Sequence, residues 1–294
     1  MLCGLPGSGK SHEAEVLAKE HDAKICSSDK LRKELLGDVN DQRKNAQVFD
    51  ILQQNIKWFL QHNRNVVFDA TNINSARRRH FLKTALKAVP CEKIAIIMAT
   101  PYQQCLANNQ LRERQVPEEV IKRMYMNWQT PYYHEGFDDI QIVMWQLEDY
   151  VTPGKYLESV MNYEQNNSHH THTLGEHLIQ TALPFMEENL ELFLAGALHD
   201  CGKPFTQTFC NNKGEPTTDA HYYQHANVGA YDSFFYTNQQ TVDSLLISWL
   251  INNHMDPYQW DKTPKLSKKR KILWGDDLYK KLCLLHQADK NSHK

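Results

Sequence analysis

At 294 residues, 41% of them hydrophobic and 23% charged, the chain is long enough for two soluble globular domains, each with its own core. A formal net charge of −2 excludes a globally basic nucleic-acid binder, so any contact of that kind must come from local patches. No apolar run approaches membrane-spanning length, the longest being residues 94–99 and 193–198, and seven scattered cysteines without a CxxC pair are reduced, cytoplasmic usage.

The chain opens on a short apolar strand, Met1-Leu2-Cys3, and runs straight into Gly4-Leu5-Pro6-Gly7-Ser8-Gly9-Lys10-Ser11. This octet fits the P-loop pattern at every fixed position, in the place a secretory signal would take, which adds to the cytoplasmic expectation. Its glycines let successive N–H groups turn toward phosphates, Lys10 can reach the β/γ oxygens of ATP, and the Ser11 hydroxyl can ligate Mg²⁺.

Further strands are expected at 24–26, 65–69, 93–98 and 140–145, alternating with helical stretches such as 48–60, as a parallel α/β sheet requires. After the second strand comes Ser27-Ser28-Asp29-Lys30-Leu31-Arg32. A carboxylate at a strand's carboxyl end could take a proton from an attacking hydroxyl, with Arg32 gripping a substrate phosphate, or it could simply cap a helix. The third strand ends in Asp69, resembling a Walker-B element, and continues through Ala70-Thr71-Asn72-Ile73-Asn74 to Arg77-Arg78-Arg79, a substrate-gripping cluster or a solvated helix face. Arg112 and Arg114, in Leu111-Arg112-Glu113-Arg114-Gln115-Val116-Pro117 ahead of a helix from Glu118, suit a lid over the γ-phosphate or an exposed helix end.

Past Val151-Thr152-Pro153-Gly154 strands give way to helical spacing over 174–185, 190–198, 242–251 and 278–285, so a domain boundary is expected at 150–155. This half carries His177, His199-Asp200, His225, His254 and Asp289. Imidazoles mixed with carboxylates suit divalent transition metals, which make bound water a nucleophile near neutral pH. A basic run at Lys265, Lys268, Lys269, Arg270 and Lys271 is a backbone-tracking cluster or a solvated lysine loop, and the flanking Trp260 and Trp274 stack bases or fill a core.

Together GLPGSGKS, the SDxxR element, the DATNIN-to-arginine stretch and the RxRxVP lid make residues 1–150 similar to the polynucleotide 5′-kinase family of phage and bacterial RNA repair. The resemblance implies an α/β P-loop kinase in which Asp29 is the general base for a 5′-hydroxyl and Arg32 a clamp on the neighbouring phosphate. It further implies Arg112 or Arg114 on the γ-phosphate, and Thr71, Asn72, Arg77 and Arg78 on the acceptor. Residues 155–294 resemble the HD phosphohydrolase superfamily, on Gly175-Glu176-His177, His199-Asp200-Cys201-Gly202-Lys203, Gln224-His225-Ala226 and Ala288-Asp289-Lys290. That likeness implies an all-α bundle in which His177, His199, Asp200 and Asp289 hold a principal metal such as Mn²⁺, Ni²⁺, Co²⁺ or Fe²⁺. His225 and His254 then serve a second metal or phosphate, and Lys203 neutralises the phosphate under attack.

A 5′-kinase and a metal phosphoesterase on one chain imply healing of broken RNA: a phosphate added to a 5′-hydroxyl end, and a 2′-, 3′- or 2′,3′-cyclic phosphate removed from the other. A separate RNA ligase would be the partner. Two other readings stay open, a small-molecule or nucleoside kinase fused to an HD nucleotidase, and an ATP switch regulating an HD hydrolase.

Overall fold

The computed structural model of the chain describes residues 1–146, 151–167, 171–238, 241–260 and 263–293. They form two units, Met1–Met124 with Pro131–Trp145, and Tyr125–Thr130 with Gln146–Lys294. Residues 147–150, where the sequence expectation ends the first domain, lie outside the described residues.

The first unit runs β1 (Leu2–Cys3), α1 (Lys10–Glu20), β2 (Lys24–Ser27), α2 (Ser28–Leu36), α3 (Asn45–Gln61), β3 (Val66–Asp69), α4 (Ser75–His80), β4 (Ile94–Ala99), α5 (Tyr102–Gln110), α6 (Glu118–Met126) and β5 (Asp139–Met144). All strand pairs here are parallel: β1 with β4, β4 with β5, and β2 with β3. The layer therefore has two paired sets rather than one continuous ladder. The seam is bridged where Gly4 N donates to Thr71 O at 3.0 Å and Asn72 Nδ2 to Leu2 O at 2.7 Å. Asn72 has φ 46, a left-handed backbone that short amide side chains tolerate. Burial of Leu2, Ala14, Val67, Ile96 and Met98 welds α1 onto the strands from both sets. The register sets Ser27 beside Asp69, so the loops after β1, β2 and β3 gather at the carboxyl edge, where α/β sheets bind ligands.

The second unit comprises α7 (Pro153–Val160), α8 (Leu174–Ala182), α9 (Leu190–Leu198), α10 (Lys203–Thr206), β6 (Gln207–Cys210), β7 (Pro216–Tyr222), α11 (His225–Thr237), α12 (Ser244–Asn253), α13 (Pro264–Trp274) and α14 (Asp276–Asn291). The expectation of an all-α unit is corrected by the antiparallel β6–β7 hairpin, whose turn uses Gly214 at φ 81. Thr173 and Glu176 close a capping box that starts α8 and puts His177 on its first turn. A Cβ on Gly196 would come within 2.9 Å of Ala182 Cα, so glycine lets α9 approach α8 closely. The basic run is a helix, α13, and Trp260 and Trp274 are buried beside it, which corrects both the loop and the base-stacking alternatives. Among the described residues, no helix is long and apolar enough to cross a membrane.

Candidate active sites

Two clusters carry chemistry, one in each unit. In the first, Gly7 and Gly9 have φ 82 and 88, and a Cβ on Gly7 would sit 2.2 Å from Cys105 O, so only glycine turns the loop there. Lys10 opens α1, and its Nζ donates to Leu5 O at 2.6 Å and Ser8 Oγ at 3.3 Å, inside the curve of the loop. Burial pushes its pKa down to about 8 against the pull of Asp69. Ser11 Oγ donates to Asp69 Oδ2 at 3.2 Å, bringing together the hydroxyl and carboxylate suited to Mg²⁺.

Asp29, in the first turn of α2, is gripped on both oxygens. Arg32 Nη1 donates to Oδ1 at 2.8 Å and Arg114 Nη1 to Oδ2 at 2.5 Å. Arg32 is 4% exposed; its Nη2 donates to Asn45 Oδ1 at 2.8 Å, and its buried Nε has no partner among the described residues. A buried N–H left unspent on a guanidinium is uncommon and suits an anion arriving from outside. Arg114 also donates from Nε to Asn40 Oδ1 at 2.9 Å, so its guanidinium is shared between Asp29 and Asn40, whereas Arg112 lies exposed on the same segment.

The other expected acceptor residues part company. Thr71, Asn72 and Arg77 line a cavity of about 490 Å³. Arg78 also touches it, but is 2% exposed and bound up within the fold. Its Nε and Nη2 meet both Glu135 oxygens at 2.7 Å and its Nη1 donates to Asn72 O at 2.7 Å. The expectation that Arg78 grips substrate is therefore corrected to a structural ion pair.

In the second unit α8, α9, α11, α12 and α14 aim four imidazoles and two carboxylates at one point. His199, His225 and His254 donate from Nδ1 to the carbonyls of Gly196, Tyr222 and Ile251 at 2.8, 2.7 and 2.7 Å. Ser292 Oγ gives its proton to Asp289 O at 2.7 Å, leaving a lone pair for His177 Nδ1 at 3.0 Å. Every ring thus has its Nδ1 engaged from outside and turns Nε2 inward, the arrangement in which Nε2 can ligate a metal.

Those inward nitrogens lie close together: His177 Nε2 is 3.1 Å from His199 Nε2, and His225 Nε2 is 3.2 Å from His254 Nε2. His177 and His199 lie 3.5 and 3.4 Å from Asp200 Oδ2, and 3.3 and 3.5 Å from Asp289 Oδ1. Ligands at about 2.1 Å from a shared ion are separated by roughly 3.0 Å on an octahedral edge and 3.4 Å on a tetrahedral one. The donor set thus has the dimensions of a coordination shell. The other carboxylate oxygen, Asp200 Oδ1, is 3.1 Å from His225 and 3.6 Å from His254, a three-donor face that leaves positions open for water or phosphate. Burial disfavours charge on His199, yet Asp200 and Asp289 outweigh it and push its pKa up to about 10, so without an ion the two carboxylates keep a proton on its Nε2, in the place a metal ion would take.

Four surrounding residues, Gln165, Tyr258, Ser292 and His293, go unread in the linear sequence. Lys203 Nζ reaches Asp200 Oδ2 and Gln165 Oε1, each at 2.6 Å. Tyr258 donates to Asp289 Oδ2 at 2.9 Å, and His293 Nε2 lies 3.2 Å from Asp289 Oδ1. Ser292 and His293 follow Asp289 at i+3 and i+4, a helical spacing that could have revealed them; Gln165 and Tyr258 come from distant loops.

Residues 1–131 match the family model of an AAA domain, and residues 169–292 match that of the HD domain. The chain thus joins a kinase-like P-loop domain, which implies ATP and Mg²⁺, to an HD hydrolase domain, which implies a divalent metal. It is similar to the L-seryl-tRNA(Sec) kinase of Methanococcus maripaludis, at 27% identity over 173 residues covering 57% of this chain. The match spans 66% of that relative, just under two thirds of its length.

Proposed function

We propose that this chain heals RNA ends, phosphorylating a 5′-hydroxyl with ATP in its first domain and removing a terminal 2′-, 3′- or 2′,3′-cyclic phosphate in its HD domain. The observation that carries the reading is the pairing, on one chain, of a P-loop facing a doubly gripped Asp29 with a six-donor metal pocket beside Lys203.

In the kinase step Asp29 accepts the proton of the attacking hydroxyl, and that oxygen displaces ADP from the γ-phosphorus. Arg32 and Arg114 orient the carboxylate, and the unspent Nε–H of Arg32 takes an oxygen of the acceptor's own phosphate. Lys10 and the exposed Arg112 oppose charge on the transferred group. In the HD step the six donors would hold divalent ions, whose chemistry when bound would be to polarise the phosphate and activate water. Lys203, tethered by Gln165, presents its ammonium to the phosphoryl oxygens, while Tyr258 and His293 hold Asp289 in place.

The seryl-tRNA(Sec) kinase relative favours a second acceptor, the hydroxyl of a seryl group carried on tRNA. One experiment separates the readings. The protein is incubated with ATP, Mg²⁺, Mn²⁺ and either an RNA bearing a 5′-hydroxyl and a 2′,3′-cyclic phosphate or a seryl-tRNA, and the products are weighed. Gain of a 5′-phosphate lost only in Asp29→Ala, with 3′-end change lost only in Asp200→Ala, supports end healing. Phosphate gained only on the seryl group supports the second acceptor.

A further inference from the structure

Beside the acceptor carboxylate, the cavity of about 490 Å³ lies wholly within the first unit, between α3, the loop after β3 and α4. Its size falls in the range of roughly 300–1,000 Å³ typical of small-molecule sites. Phe49, Phe68 and Phe81 line it, with Phe68 and Phe81 packed edge to face at 5.3 Å, while Asn45, Asp50 and Gln53 supply polar groups from α3. Aromatic walls with a few hydrogen-bonding edges are the chemistry of a flat, heteroaromatic ligand.

The position of the cavity says which ligand. Asn45 lines it and accepts from Arg32, which in turn donates to Asp29, so one relay joins the cavity to the carboxylate. Thr71, also on its wall, accepts the Gly4 N–H at the base of the phosphate loop. The opposite flank of that loop is taken by α5, from which Asn108 donates to Gly7 O at 2.9 Å. A group in the cavity therefore adjoins the phosphate-accepting hydroxyl from the Asp29 side.

We infer that this cavity holds the nucleobase of the acceptor's terminal nucleotide, stacked on Phe49, and so makes the kinase select a nucleoside end over a bare hydroxyl. The inference rests on the kinase half of the proposed function and adds a base-recognising pocket to it. Asp50 and Gln53 face the base edge: the carboxylate accepts from an exocyclic amine, and the amide donates or accepts.

The test uses the full chain with two probes. Binding is read with 2-aminopurine riboside 3′-phosphate, whose fluorescence falls on stacking. Phosphorylation is read on a short RNA with an intact or an abasic 5′-terminal residue. Loss of one stacked base weakens binding about 5- to 150-fold. In the wild-type protein, removal of the base should raise KM by that factor. In Phe49→Ala, KM for intact RNA should rise as much and base removal should add little, the non-additivity of two changes to one contact. Ala46→Leu, which narrows the rim, should abolish the fluorescence change, with affinity for ATP and melting temperature reporting that both variants fold. Equal KM for intact and abasic ends overturns the pocket and leaves the kinase reading standing. Stacking of the probe without phosphorylation of any RNA end keeps the pocket and removes the kinase reading. Neither stacking nor base dependence in a folded, ATP-binding protein overturns the pocket.

Discussion

Arg114 donates to Asp29 Oδ2 at 2.5 Å while Arg32 holds the other oxygen at 2.8 Å, so the carboxylate has one orientation and the segment bearing Arg114 is latched to it. Truncating Arg114 to Ala frees the segment and leaves the carboxylate held on one side by Arg32 alone. Charge-assisted pairs contribute about 1.5–3 kcal/mol, so kcat should fall roughly 10- to 150-fold with KM for ATP little changed. Steady-state kinetics decide it; a change confined to the KM for ATP would place Arg114 on the nucleotide instead.

Asp200 faces two donor groups with its two oxygens, Oδ2 toward His177 and His199 and Oδ1 toward His225 and His254. Asp200→Ala should therefore lose all bound metal, whereas His254→Ala should keep about half, as counted by elemental analysis of protein loaded with Mn²⁺. Chelation should also lower the melting temperature of the wild type and leave Asp200→Ala unmoved, since a ligand stabilises only the state that binds it.

The Arg78–Glu135 pair is buried on both sides and bidentate. Removing one partner strands a charge, so Arg78→Met or Glu135→Gln should each cost about 3–5 kcal/mol, and the double change distinctly less than their sum. Urea unfolding of the three variants tests this. Additive losses would mean that the two charges do not depend on each other.

Asp232 accepts a hydrogen bond from Tyr125 at 2.5 Å, and burial pushes its pKa up to about 7 against that bond's pull. The folded chain then holds a proton that the unfolded chain, with a carboxyl near 3.9, has already lost. The stabilisation is whole below about pH 4 and gone once the pH has risen through 7. Asp232→Asn should match the wild type in acid and exceed it by about 4 kcal/mol at pH 8, some 8–16 °C in melting temperature. A constant offset across this range would contradict the assignment.

The P-loop, the Asp29 element and the HD residues were legible because each is a short run whose residue types serve one chemistry. Helices at 48–60 and 190–198 were legible from spacing and fall within α3 and α9. The β6–β7 hairpin was hidden because its strands are polar and lack alternation, leaving Asn211-Asn212-Lys213-Gly214 as the sole cue. Arg77, Arg78 and Arg79 look alike in sequence. Only Glu135, 57 positions further on, singles out the middle one for the interior.

The stretch Tyr125–Thr130 belongs to the second unit although it precedes the last strand of the first. Tyr125 packs edge-on against Phe205 and Tyr231, Trp128 against Tyr231 at 5.1 Å, and Thr130 hydrogen-bonds with Asn252 and Ser248. On the ribosome this stretch emerges well before its partners, so the second core must wait for α12 before it closes over Trp128. A fragment begun at Gln146 would lack that indole altogether. The two units are thus stitched by a loan of chain, and moving the second into another protein as a cassette begun at Gln146 should leave a hole where Trp128 belongs.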